Sequence, residues 1–415
     1  MENVMKQVEG GVCAAKGFSA NGLNCGLNPN KEKNDLALIY SEKMCNAAAV
    51  YTTNKVKGAP ILVTKKNLAA SGNHAQAVIA NSKNANTCNA DGEEKAAKMC
   101  ALAAEQLGIS ADNLEEMEKK AVTVRGIYED FAFGIERPLA DQLKLFMQCI
   151  PGMGVLTGDY TMPLTPVKYA VTFTAGGKKC TIGGMAKGSG MIHPNMATTL
   201  NFVTTDAAIS TDLIQKALSE IVKVTYNCLS IDGDTSTNDM VCILANGLAG
   251  NEEITTEGED YKAFSDALYQ VLMSLTKMLA KDGEGASKML ECTCAGAPDQ
   301  DTAIIVAKSV IRSPLFKCAM FGEDANWGRI LCAIGYAEAE FDIDKVAVDL
   351  ASAKGTIAVC RDGSGVEFSE EKAKEVLGED EIYININLHQ GDASAKAWGC
   401  DLTYDYVKIN GDYRS

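Results

Sequence analysis

Nowhere does the chain hold a long basic cluster: 39 Lys and Arg stand against 54 Asp and Glu, for a formal charge of -15. A nucleic-acid partner is therefore disfavoured. Long uncharged apolar runs are missing too, and none approaches a membrane span. The opening MENVMKQVEGGVCAAKGFSANG has neither the basic start nor the continuous apolar stretch of a secretory signal, so the expected location is cytoplasmic, with no membrane partner. Histidine is scarce. His74, His193 and His389 lie far apart without ligand spacing, and the nearest thing to a metal pattern is Cys292 and Cys294. No metal site is expected. The fifteen cysteines are scattered and odd in number, which favours reduced, mostly buried thiols over a disulfide framework. Neither a solenoid-period repeat nor a clear flexible linker is visible.

What is present suits a large folded core: 415 residues, 47% hydrophobic and 22% charged. Two domains, or one domain with two lobes, fit that length. Residues 37–63, LALIYSEKMCNAAAVYTTNKVKGAPIL, carry short apolar, β-branched and aromatic runs that suit strands. The alanine-rich GEEKAAKMCALAAEQL, 92–107, reads as a helix. AVTFTAGGKKCTIGG, 170–184, alternates around Gly176-Gly177 as a hairpin, and Ser210 or Thr211 caps a helix that follows. A second long helix is expected at about 260–281. Toward the C-terminus, VAVDLASAKGTIAVC has a Lys354-Gly355 turn signal, and EIYININL sets Ile382, Ile384, Ile386 and Leu388 on one face. The expected fold is α/β, with mixed sheets, packed helices and two lobes.

Chemistry concentrates in KGSGMIHPNMATTLNF, 187–202. It is not a phosphate loop: Gly188 separates Lys187 from Ser189, and His193-Pro194 favours extended backbone rather than a helix start. Nucleotide binding is the weakest reading. A stronger one is a nucleophile made by cutting the chain. Threonine is a poor nucleophile without a base, and cleavage of the preceding peptide bond frees an α-amine that can take the proton of the same residue's hydroxyl. An amine pKa of about 7.7–8.0 makes this accessible near neutrality. Pro194, Asn195 and the small Ala197 before Thr198 suit such a bond; a plain glycine-proline loop entering a strand explains the same residues.

The segment GGMAKGSGMIHPNMATTLNFVTTDAAI, 183–209, resembles the self-processing region of the ornithine acetyltransferase family, the bifunctional glutamate N-acetyltransferases of arginine biosynthesis. GFSANGLNCGL, VIANSKNAN, IDGDTSTNDM, KDGEGASK, FGEDANWGRILCAIG and AWGCDLTYDYVKINGDYRS extend the likeness over nearly the whole chain. The resemblance implies the fold of self-cleaving ornithine acetyltransferases and aminopeptidases. It also implies a cut between Ala197 and Thr198, giving an α chain of residues 1–197 and a β chain of 198–415. Acetyl would move from N-acetylornithine to glutamate through acetyl-Thr198, with no bound cofactor and with acetyl-CoA as a co-substrate in bifunctional members. The implied substrate contacts are Thr157, Lys187, Thr198, Glu284, Asn410 and Ser415, and the implied assembly is an α2β2 heterotetramer. A cation such as Lys187 and an anion such as Glu284 suit the two ends of an amino-acid substrate, although either could be a solvated loop charge. IDGDTSTNDM is equally well explained by turn formation.

The family's oxyanion threonine and glycine have no full counterpart here. AVTVRGIYEDFAFGIERPLADQL, 121–143, offers Arg125-Gly126 or Phe133-Gly134 in that place, and neither pair keeps the threonine. A family Thr-Thr-Asp segment appears as Thr157-Gly158-Asp159, and the terminal threonine as Ser415. Two alternatives to the transferase remain open: a related N-terminal-nucleophile amidase or aminopeptidase, and a non-catalytic homologue that binds ornithine or glutamate without turnover.

Overall fold

The computed structural model describes residues 5–32, 34–82, 84–109, 121–122 (backbone only), 167–188, 190–193 and 200–412. Among these, two sheets form. The first, of nine strands, runs in the order Lys6–Val8, Lys168–Ala175, Lys178–Lys187, Leu200–Thr205, Met240–Ala245, Leu36–Tyr51, His74–Asn81, Ala121–Val122, with Phe18–Leu23 paired to Leu36–Tyr51. It is mixed. Leu200–Thr205 lies parallel to Met240–Ala245, and most of its other pairs are antiparallel. The second, of seven, runs Ser364–Gly365, Gly355–Arg361, Ala347–Ser352, Glu381–Asn387, Met289–Ala297, Ala393–Cys400, Leu229–Ser230.

The alternation read from the sequence becomes these ladders directly. Lys168–Ala175 and Lys178–Lys187 close on Ala175 opposite Lys178, with Gly176 and Gly177 at positive φ between them. Ile382, Ile384, Ile386 and Leu388 are all buried. The helices Gly92–Gln106, Thr211–Val224 and Glu259–Lys281 stand where periodicity puts them, the second entered through Ser210. Residues 59–63 differ from the strand expectation: they open the helix Ala59–Ala70. Pro60 has no N–H for a ladder, but in a first helical turn that N–H would be orphaned anyway.

A single large core joins the sheets. It includes Phe173 and Ile182 from the first sheet, Leu290 and Ile384 from the second, and Phe264, Leu268, Leu272 and Leu275 from the helix Glu259–Lys281, which packs on strands of both. Gly184 admits that helix: a Cβ there would lie 2.9 Å from Leu275 Cδ1. The helix Gln300–Arg312 covers the other sheet's Met289–Ala297 and Ala393–Cys400, capped by Asp299, which accepts from Thr302 N at 2.8 Å. The described cysteines are free thiols, most of them buried, and Cys292 and Cys294 lie in the core, where burial pushes both thiols up. Among the described residues no helix is long and apolar enough to cross a membrane.

The connections decide where a site can form. Leu229–Ser230 belongs to the second sheet and Met240–Ala245 to the first, so the loop between them, which carries IDGDTSTND, crosses from one sheet to the other.

Candidate active site

Lys187 ends its strand directly opposite Leu200 in the antiparallel ladder. The segment joining these two partners therefore starts and finishes at one place on the sheet, and its first described stretch is strongly tethered. The N–H groups of Met191 and Ile192 donate to the Asp232 carboxylate at 2.6 and 2.9 Å. Ile192 bridges Thr235 and its carbonyl accepts from Ile231 N at 2.7 Å, while Thr235 Oγ1 donates to the His193 carbonyl at 2.8 Å. The loop that the sequence explains as turns is thus a dock for residues some forty positions earlier.

His193 sets its Nδ1 3.1 Å from Ser230 Oγ. Burial, with Lys308 and Arg312 near, lowers its pKa to about 4, so the imidazole is neutral at physiological pH.

Glu284 follows the helix Glu259–Lys281 in the run Asp282-Gly283-Glu284-Gly285, and each glycine makes room for a neighbour. A Cβ on Gly283 would lie 2.7 Å from Cys400 Sγ; one on Gly285, at φ +66, would lie 2.6 Å from Tyr406 N. The C-terminal helix Tyr404–Asp412 can therefore lie against this turn, where Thr403 Oγ1 donates to the Gly285 carbonyl at 2.6 Å. From that helix Asn410 Nδ2 donates to Glu284 Oε2 at 2.9 Å and Tyr406 Oη donates to Asp232 Oδ2 at 3.3 Å. Burial, then the Asp232 and Glu284 carboxylates, push the Tyr406 phenol up, so it remains a donor. Asp282 is raised to about 6 by burial.

Gly190 closes the arrangement. A Cβ on it would stand 2.3 Å from Glu284 Oε2, so the Glu284 carboxylate rests against the chain just before the Met191 tether. Of the residues singled out in the sequence, Glu284 and Asn410 are brought into contact, and Lys187 stands on the strand that leads into the same segment. Ala197, Thr198, Arg125, Gly126, Thr157 and Ser415 lie outside the described residues. Asp232 and Tyr406 are not among the residues the sequence singles out, and Gly190 is only one of the glycines of KGSGMIHPNMATTLNF. The signal for the first two is the acidic, hydroxyl-rich IDGDTSTNDM and the terminal motif, but no local pattern shows which distant amides a carboxylate will bind. Among the described residues no group of three His, Cys, Asp or Glu is placed to hold a metal ion.

Two mixed sheets with packed helices, with a turn carboxylate bonded by an amide of the C-terminal helix and lying against the segment that follows a lysine-ended strand, define an α/β protein with a polar site. The ArgJ family's sequence model matches residues 19–415, and the chain belongs to that family. The arginine biosynthesis bifunctional protein ArgJ 1 of Clostridium acetobutylicum is 46% identical over 404 residues, spanning 96% of each chain. The arginine biosynthesis bifunctional protein ArgJ of Caldanaerobacter subterraneus subsp. tengcongensis is 43% identical over 99% of this chain and 100% of its own. A crystal structure of the Bacillus halodurans arginine biosynthesis bifunctional protein argJ shares 47% identity, covers 51% of this chain and 98% of its own, and has a TM-score of 0.48.

Proposed function

We propose that this enzyme of arginine biosynthesis is an ornithine acetyltransferase, also acting as a glutamate N-acetyltransferase, and that it works through Thr198 after cutting itself at Ala197-Thr198. The observation that carries the reading is the register that sets Lys187 opposite Leu200, with Gly190 against Glu284 and residues 191–193 tied to the crossing loop. Thr198 stands two positions before Leu200 in the sequence.

The precursor cut gives an α chain, 1–197, and a β chain, 198–415, whose new α-amine serves as base. The amine takes the Thr198 hydroxyl proton as Oγ attacks the acetyl carbonyl of N-acetylornithine, and the tetrahedral intermediate collapses as the proton passes to the departing ornithine amine. Glutamate's amine then attacks the acetyl ester, returning Oγ to its hydroxyl and giving N-acetylglutamate. Glu284 faces the substrate's free ammonium, and Lys187 its carboxylate, with Thr157, Asn410 and Ser415 completing the contacts. Gly126 supplies an oxyanion N–H, with Arg125 in place of the usual threonine. Acetyl-CoA serves as co-substrate in the second activity, a reading supported by relatives named as bifunctional proteins. The assembly is an α2β2 heterotetramer in the cytoplasm.

Product analysis tests the transfer. Incubation with N-acetylornithine and glutamate is expected to yield ornithine and N-acetylglutamate in equal amounts, with an acetyl group trapped on Thr198 when glutamate is omitted. Acetate as the product, whether or not glutamate is present, would identify a hydrolase instead.

A further inference from the structure

Asp232 touches both the entry to the cleavage segment and the C-terminal helix. Met191 stands at φ +55, a left-handed conformation that a non-glycine residue keeps only when its surroundings hold it. The hold is visible. Two successive backbone N–H groups, Met191 and Ile192, converge on the two oxygens of one carboxylate at 2.6 and 2.9 Å, the nest geometry by which a backbone binds an anion. Asp232 also accepts from Asp234 N, the bond an ordinary turn would make, but at 3.2 Å. Its shorter bonds go to the distant segment.

Tyr406 Oη donates to the same carboxylate at 3.3 Å. One helical turn later Asn410 Nδ2 bonds both the Tyr406 carbonyl and Glu284. The entry to the segment, the crossing loop and the helix that bears Asn410 are therefore linked through one side chain.

We infer that Asp232 is a positioning residue for both reactions of the chain: it fixes Met191 and Ile192 in the conformation that presents the Ala197-Thr198 bond for cutting, and through Tyr406 it sets the helix that brings Asn410 to Glu284. This rests on the reading of Thr198 as a self-generated nucleophile. Its role is to set the geometry of the groups that react, where a misplacement of about 1 Å can lower a rate about a hundredfold.

The test compares wild type with Asp232→Ala, Asp232→Asn and Tyr406→Phe, reading the cut fraction over time by intact mass under denaturing conditions and the folded fraction by thermal melting. Folded Asp232→Ala is expected to cut about tenfold more slowly or worse, and Asp232→Asn, which keeps one acceptor oxygen, to fall between it and wild type. Tyr406→Phe is expected to cut normally and to raise KM for N-acetylornithine about three- to tenfold, with kcat changed by less than about twofold. A purely structural role would lower melting temperature without this graded order or the KM change. Wild-type cutting by folded Asp232→Ala, or by Asp232→Asn should the alanine variant not fold, overturns the positioning of the segment. An unchanged KM in Tyr406→Phe overturns the tie to the helix. A wild type that stays uncut is a separate result: it removes the Thr198 reading, and this inference with it.

Discussion

Asn410 Nδ2 donates to Glu284 Oε2 at 2.9 Å, latching the C-terminal helix onto the turn after the helix Glu259–Lys281 across 126 positions of sequence. The bond occupies one carboxylate oxygen of Glu284 with an amide donor. Glu284→Gln preserves an acceptor for Asn410 but removes the negative charge. KM for N-acetylornithine is expected to rise about tenfold or more, while KM for glutamate, which has no second amine, changes less. Steady-state kinetics in each substrate checks the difference.

Gly190→Ala separates the site from the scaffold. The added methyl would meet the end of a flexible side chain, the Glu284 carboxylate at 2.3 Å, so the carboxylate moves and the fold survives. The melting temperature is expected to stay within a few degrees of wild type while kcat/KM falls about tenfold or more. Gly285→Ala is the contrasting case. At φ +66 and against the backbone of Asp405 and Tyr406, it is expected to destabilise the chain by about 1–3 kcal/mol in denaturant titration.

Much of this architecture was legible in periodicity, because it is set locally. Ile382, Ile384, Ile386 and Leu388 alternate and are buried; Gly176-Gly177 turns a hairpin at its stated place. The helical run 300–335 carried no such reading. In FGEDANWGRILCAIG the helix Trp327–Gly335 is started by Asn326, which accepts from Arg329 N at 3.1 Å, a cap easily taken for a turn residue. In the site, motif likeness points to Glu284 and Asn410 but not to Asp232 or Tyr406. Asp232 reads as a turn former because one of its bonds is indeed a turn bond; the two to Met191 and Ile192 exist only once the two sheets meet.

His193 gives a pH signature of stability. Its pKa is about 4 in the folded chain, against an ordinary value of 6.5, through burial and then Lys308 and Arg312. The unfolded chain therefore binds the proton more readily, so stability is full above pH 6.5 and declines as pH falls toward 4, by on the order of 2–3 kcal/mol. His193→Gln is expected to flatten that part of the stability curve, as measured by urea titration at a series of pH values.

Glu291 predicts a second, more acidic component. It is buried, and burial pushes its carboxyl up, but hydrogen bonds from Lys396, Lys277 and Trp398 outweigh that and leave the pKa below its usual 4.5. Its stabilisation is present above pH 4.5 and is lost as pH falls through the depressed folded value. Glu291→Gln is expected to destabilise the chain by about 1–3 kcal/mol at neutral pH, with the gap closing in acid. A gap that stays constant down to low pH would contradict the assignment.

Intact mass of the purified wild type under denaturing conditions is the most direct test of Thr198 as the working group. Two fragments are expected, residues 1–197 and 198–415, the second gaining one acetyl group on exposure to N-acetylornithine. A single uncut chain of 44.1 kDa would mean that the threonine amine is never freed, and would leave a protein that binds its ligands without turning them over.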